Sequence, residues 1–426
     1  MLDINLIRND PETLRKNLER RKDPDKLKLL DDLIDKDKEW RDAKFNLQKL
    51  QQGRNAVTKE IAMLKKEGKD IQDKLKEMKE LPEKVKKEEE RVENLKQEID
   101  RILLRIPNMM HESVPYGKDD TENVEIKKVG TCKEFDFEVK NHVQLMEENG
   151  WGDFERSAKI AGHGFYFLKG DLALLNQAIL RYAIDFMIKR NYLYVEPPLM
   201  LKRGPYEGVT DLSDFENVMY KIEGEDSYMI ATSEHPLVAQ YMNDVIEEKE
   251  LPIKMVGYSM CFRKEVGSRG IDTKGLFRTH QFNKVEQIIF CQPEESWTLH
   301  EEILKNSEDL FTSLELPYRI VNICTGDLGI VAAKKYDLEV WMPRQNAYKE
   351  ACSASNCTDY QARRLNIKCG KEGGDKRVLH TLNNTAIATS RVLVSILENY
   401  QNKDGTVTIP EVLRPYMYGK EKILPL

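Results

Sequence analysis

The chain has 426 residues, enough for two or three domains, and 33% of them are charged. No apolar run reaches the roughly 18 residues of a membrane span, and the opening MLDINLIRND lacks the apolar segment of a secretory signal. A net charge of −6 argues against a globally basic nucleic-acid binder, so any contact with RNA has to come from local sequence.

Residues 27 to 106 are nearly free of glycine and follow a heptad-like pattern. Leu33, Trp40, Leu47 and Ile61 share one rail, with Arg54 at the remaining step, and Leu50, Val57 and Leu64 form its companion. After Glu67-Gly68-Lys69-Asp70 the series Ile71, Met78, Val85, Val92, Ile99 and Ile106 resumes, accompanied by Leu81, Leu95 and Ile102. Two apolar seams separated by a turn predict an antiparallel helical hairpin, although a dimerising coiled coil fits the same periodicity. A helix of about 40 residues is about 60 Å long. Pro82 is expected to kink or break the second helix. Lys59, Lys65, Lys66, Lys69, Lys74, Lys76 and Lys79 crowd the far half, but interleaved acids leave it only weakly basic.

Residues 109–170 read as a mixed connector that ends in a strand and turn at 163–170. Residues 172–189 have helical apolar spacing. Short β-rich runs follow at 228–231, 254–262, 277–290, 318–323 and 338–342, alternating with helices. Their spacing favours hairpins and a mainly antiparallel sheet. Neither GxxxxGK[ST] nor GxGxxG occurs, so the common parallel-sheet nucleotide folds lose support. The expected fold class is α+β. A helical arm occupies 1–108, a connector 109–170, and a sheet-based domain 171–426.

The most informative stretch runs from Cys261 to Gln287. It reads as two strands around a loop containing Gly267, Gly270 and Gly275. Arg263 and Arg278 supply guanidinium groups for a polyphosphate, and Phe282 an aromatic face for a base. Seven scattered cysteines form no CxxC pair, which reads as reduced thiols in the cytoplasm. Cys352, Cys357 and Cys369 are a conceivable zinc group but lack paired spacing.

Phe262-Arg263-Lys264-Glu265, then Phe277-Arg278-Thr279-His280-Gln281-Phe282 and Glu286, resemble motif 2 of class II aminoacyl-tRNA synthetases. Asn383 to Arg391, with Glu398-Asn399-Tyr400-Gln401, is similar to motif 3. Residues 191–198 resemble motif 1, ending on Pro198. Asn191 stands where that motif often has glycine, and asparagine tolerates positive φ. Thr232-Ser233-Glu234 is similar to the serine loop of seryl-tRNA synthetases, and the order of arm, connector and core also fits that family. The resemblance implies a homodimer that activates L-serine with ATP and transfers it to tRNA(Ser), with tRNA(Sec) as a further candidate. It implies Mg²⁺ and, because no Cys/Glu/Cys arrangement is present, no zinc.

By resemblance, Arg263 bridges the serine carboxylate and the α-phosphate. Glu265 accepts from the adenine amino group, Arg278 holds the terminal phosphate side, and Thr279 contacts adenine through its backbone. Phe282 stacks on the base, and Arg391 clamps the γ-phosphate. Glu350 and Ser353 match the family's metal and phosphate segment. Glu286 and Thr385 meet the serine side chain, Thr232 and Glu234 its amino group, and Asn383 lends an amide. Arg263, Glu286 and Arg391 are the expected catalytic residues. The chemistry agrees: two anionic reactants meet only if cations bring them together. Two other readings fit part of the chain. A ligase that loads a carrier protein does not explain the arm. A non-catalytic coiled-coil scaffold predicts damaged positions at Arg263, Glu286, Glu350 or Arg391, and all four are present.

Overall fold

The computed structural model describes residues 1–211, 218–265, 274–371 and 373–426. Gly267 and Gly270 of the expected loop lie outside the described residues. Two compact units emerge, Met1–Pro107 and Asn108–Leu426.

The first unit is helical, with α1 (Ile4–Asn9), α2 (Pro11–Glu19), α3 (Pro24–Lys66) and α4 (Gln72–Leu103). Asp23 caps α3 by accepting from the Asp25 N–H, and Pro24 occupies the first turn, where no N–H is needed. At 43 residues α3 is about 65 Å long. Gly68 turns the chain at φ +69°, and Asp70 accepts from the Gln72 N–H as α4 begins. Leu33, Val57, Val85, Leu95 and Ile99 are buried between the two long helices. Lys36–Glu98 at 3.0 Å and Lys74–Glu60 at 2.9 Å bridge them. The apolar seams therefore close within one chain. The break expected at Pro82 does not occur, and α4 runs through it. The ring removes a single N–H, and burial of Val85 one turn later holds the helix against α3. Asp37 is buried in this unit, paired with Arg8 at 2.6 Å and Arg41 at 2.9 Å.

The second unit is built on an eight-stranded sheet. Its strands are β1 (Val124–Val129), β2 (Leu193–Val195), β3 (Ile253–Phe262), β4 (Gln281–Cys291), β5 (Tyr318–Asn322), β6 (Lys334–Met342), β7 (Ala347–Asn356) and β8 (His380–Ala388). The spatial order is β1-β5-β6-β7-β8-β4-β3-β2, antiparallel throughout except for the parallel β2–β3 pair. Residues 124–129 of the expected connector thus supply an edge strand. Asn191 adopts φ +63° just before β2, as expected for that position.

Four helices matter for the site: α5 (Gly170–Ile188), α6 (Glu234–Ala239), α7 (Ser296–Ser313) and α8 (Thr389–Asn399). Helix α7 covers one sheet face through a polar seam. Asn306 donates to Gln287 of β4 at 2.8 Å, and Asn384 of β8 donates to Ser307 at 2.8 Å. These bonds use the amide N–H donors of the seam, as a low dielectric favours, while the Asn384 amide oxygen stays buried without a partner. The even positions of β4, Phe282, Lys284 and Glu286, share the other face because side chains alternate along a strand.

Candidate active site

The site opens where β3 and β4 stop pairing. Their ladder ends at Phe262↔Gln281, followed by one bond from the Arg263 N–H to the His280 carbonyl at 3.0 Å. The His280 N–H is taken by the Gly164 carbonyl at 2.9 Å, so the ladder cannot continue. Arg263, Glu265 and Arg278 consequently leave the ends of the hairpin, not the strands that the sequence suggested. Gly275 passes beneath at φ +120°, and a Cβ there would stand 2.2 Å from Nε2 of His142.

A cleft of about 150 Å³ is lined by Arg263, Glu265, Arg278, Thr279, Phe282, Glu350, Ser353, Thr385 and Arg391, together with Phe277 and Lys284. All the residues expected to meet ATP therefore share one cavity. Arg263 lies over the Phe282 ring with its guanidinium carbon 5.2 Å from the centroid. Its Nε is buried without a hydrogen-bond partner. Arg391 stacks on Phe277 at 3.7 Å and donates to the Phe277 carbonyl at 2.5 Å. Burial brings its guanidinium down to about 10, with Glu350 opposing, so it stays cationic at neutral pH. Arg278 faces Glu265 at 4.0 Å. Ser353 donates to the buried Asp337 at 2.7 Å.

Glu286 is buried behind the lining, 1% exposed and in register with Thr385 of β8. Lys284 approaches its carboxylate at 2.6 Å and donates to Thr232 at 3.2 Å. Burial pushes the Glu286 carboxyl upward, and Lys284 opposes that shift. Glu234 accepts from Gln361 at 2.9 Å and from Asn383 at 3.1 Å. Burial, and then the charge of Glu286, push its carboxyl up to about 7. Glu234 and Asn383 open onto a neighbouring cavity of about 250 Å³, while Thr385 opens onto the cleft. Of the expected serine-binding residues, Arg263 and Thr385 thus line the cleft, Glu234 and Asn383 line its neighbour, and Thr232 and Glu286 line neither.

Lys284, Gln361, Asp337 and Phe277 carry no role that the sequence alone assigns. Only Lys284 had a usable signal, its place two residues before Glu286 on a strand. The cysteines 352, 357 and 369 are buried free thiols. Among the described residues no three His, Cys, Asp or Glu side chains gather as a metal group.

An antiparallel sheet carrying an arginine-lined cleft at the mouth of one hairpin defines a class II synthetase core. Residues 218–400 match the family model for the class II tRNA synthetase core domain (G, H, P, S and T), and residues 1–110 match that for the seryl-tRNA synthetase N-terminal domain. The chain is 56% identical to the serine–tRNA ligase of Methanoregula boonei, covering 99% of this chain and 100% of that one. It is 48% identical to the serine–tRNA ligase of Pyrococcus furiosus, covering 100% and 98%. The crystal structure of seryl-tRNA synthetase from Pyrococcus horikoshii complexed with ATP aligns with a TM-score of 0.95 and 46% identity, over 100% of both chains. The chain belongs to the seryl-tRNA synthetase family.

Proposed function

We propose that this protein is a serine–tRNA ligase that uses ATP, and that its cleft performs the activation step. One observation carries the reading: guanidinium and carboxylate groups from three distant stretches, Arg263, Glu350 and Arg391, line a single cavity. A serine carboxylate oxygen attacks the α-phosphorus of ATP. A bond forms from that oxygen to phosphorus, the bond to the bridging oxygen breaks, and pyrophosphate leaves with the electron pair. Arg263 meets both anionic reactants, and its unpartnered Nε suits that task. Arg391 and Arg278 hold the phosphate tail, Phe282 stacks on adenine, and Glu265 and the Thr279 backbone meet the base edge. Glu286 and Thr385 accept and orient the serine hydroxyl. The Thr232–Glu234 loop meets the ammonium, with Glu234 supplying charge and Asn383 steadying it.

The 3′-terminal hydroxyl of tRNA then attacks the acyl carbonyl, and AMP leaves. Glu350 and Ser353 fit Mg²⁺. Ser353 donates its hydroxyl hydrogen bond to Asp337, which leaves its oxygen lone pairs for the cleft, and Glu350 adds an exposed carboxylate. One carboxylate with phosphate oxygens is a set that Mg²⁺ accepts, and a bound ion would supply positive charge beside the phosphates. The helical hairpin grips tRNA(Ser), and tRNA(Sec) is a second candidate, by shape and phosphate contacts more than by base edges. We read the functional unit as a homodimer formed through the motif 1 region, where Leu193 is 62% and Met200 51% exposed. We place its action in the cytoplasm, in keeping with seven free cysteines. Among the described residues no helix is long and apolar enough to cross a membrane.

The test is ATP–pyrophosphate exchange with each amino acid in turn, followed by charging of total tRNA. Exchange with serine alone and serine on tRNA are expected. Exchange with another amino acid, or with none, would falsify the reading.

A further inference from the structure

Lys284 has no part in the roles above, yet it joins two residues of the site. Its side chain is 10% exposed, and that of its partner Glu286 is 2% exposed. The ammonium spans two groups of the amino-acid pocket, Glu286 on β4 at 2.6 Å and Thr232 just before α6 at 3.2 Å. Thr232 also accepts from the Glu234 N–H at 3.2 Å, so Lys284 and that N–H together orient its hydroxyl.

Charge balance explains why a lysine stands there. Glu286 is faced by Arg263 from the end of β3, by Glu234 from α6, and by the thiols Cys261 of β3 and Cys352 of β7. Lys284 reaches it from its own strand. Glu234 and the burial itself favour protonating Glu286. Of the two cations, Arg263 is the one that the substrate carboxylate and phosphate would engage. Lys284 then remains as the permanent counter-charge. A protonated Glu286 presents a different hydrogen-bond pattern, and loses the charged acceptor that makes a missing hydroxyl expensive.

We propose that Lys284 is a positioning residue that keeps Glu286 an ionised acceptor and locks it to Thr232, and so sets the selection of a hydroxylated amino acid. The inference rests on the ligase reading for its substrate but not for its electrostatics. In Lys284→Met, the serine KM in pyrophosphate exchange rises about tenfold or more, and the preference for serine over alanine narrows about tenfold. The ATP KM moves less than the serine KM, because the Lys284 ammonium, although its side chain lines the cleft, is engaged by Glu286 and Thr232. The acidic limb of kcat/KM for serine moves to higher pH, since losing the cation favours protonated Glu286. Lys284→Arg restores much of each effect.

Should Lys284→Met fail to fold, Lys284→Met combined with Glu286→Gln removes both charges. Its serine-to-alanine ratio is expected to equal that of Glu286→Gln alone. A further tenfold loss in the double variant would show that Lys284 acts elsewhere and overturn the proposal. So would an unchanged serine KM and pH profile in a folded Lys284→Met, or Lys284→Arg behaving like Lys284→Met. A carboxyl ¹³C titration, with Glu286 assigned through Glu286→Gln, reads the same point without activity. The Glu286 signal must titrate at higher pH in Lys284→Met than in the unaltered protein. If the unaltered protein does not exchange with serine, the ligase reading falls, and this titration still decides whether Lys284 governs Glu286.

Discussion

The two units carry their charges in opposite ways. In the helical unit most ion pairs lie at the surface. Lys74 and Glu60, 35% and 51% exposed, pair between helices whose cohesion comes from apolar rails. In the sheet unit a pair of the same chemical type, Lys284 and Glu286, is almost fully enclosed. Water screens the first, and little is gained or lost by it. The second is an expensive arrangement, tolerated where it shapes a pocket. Composition does not separate these cases, since both are a lysine near a glutamate in the sequence or across a seam. Enclosure separates them.

The strongest way to break this contrast is to remove the hairpin. Deleting residues 24–103 is expected to leave serine-dependent pyrophosphate exchange within about threefold of the intact chain and to abolish tRNA charging, because activation uses only the second unit. Normal charging by the truncated chain would take the arm out of the mechanism. Next is Arg263→Ala, for which exchange should fall by about 10³, the scale set by loss of one charge-stabilising donor. A loss of less than tenfold would mean that Arg263 does not meet the reacting atoms.

Asp37 tests the rule from inside the helical unit, since it is that unit's enclosed charge. Asp37→Ala should cost about 2 kcal/mol, read as lost amide-exchange protection in α1 and α2. Unchanged protection would mean that Arg8 and Arg41 gain nothing from it. Glu234 adds a second ionisation to the pH dependence that Glu286 sets. Its carboxyl is raised to about 7, so it loses charge as pH falls through that value. The serine KM should therefore rise as pH falls below 7, and Glu234→Gln should make that rise less steep, leaving the part that Glu286 sets. The linkage sign for stability is the reverse of a salt-bridged acid. Ionising Glu234 costs more in the fold than in the unfolded chain, so Glu234→Gln should raise the thermal midpoint above pH 7 and much less at pH 5. The smallest effect is expected at the surface. Glu60→Gln should change stability by less than about 0.5 kcal/mol, and the change should vanish in high salt.

Much of the molecule was readable before folding, for definite reasons. Seven-residue periodicity marks a helical seam wherever the chain is long enough to repeat it, so the hairpin and its turn at Gly68 were legible. β-rich runs at 254–262 and 277–290 marked the central strands, although the second strand begins only at Gln281. Strands β7 and β8 were not legible. AYKEACSASN and HTLNNTAIA are rich in small and amide side chains that carry weak strand preference alone, and their amides bond to α7 only once the sheet exists. Among site residues, the arginines and Phe282 announced themselves through motif spacing.

What sequence determined by itself is the set of chemical groups and the local periods that place them on helix or strand. Tertiary structure alone decided which groups share a cavity, and how charged each one is. Gln361 reaches Glu234 across 127 residues, and Lys284 reaches Thr232 across 52. Such distances leave no local trace, because the energy that selects them is the desolvation of groups brought together by the sheet. The same desolvation moves Glu234 to about 7, a value that no stretch of residues carries when exposed to water.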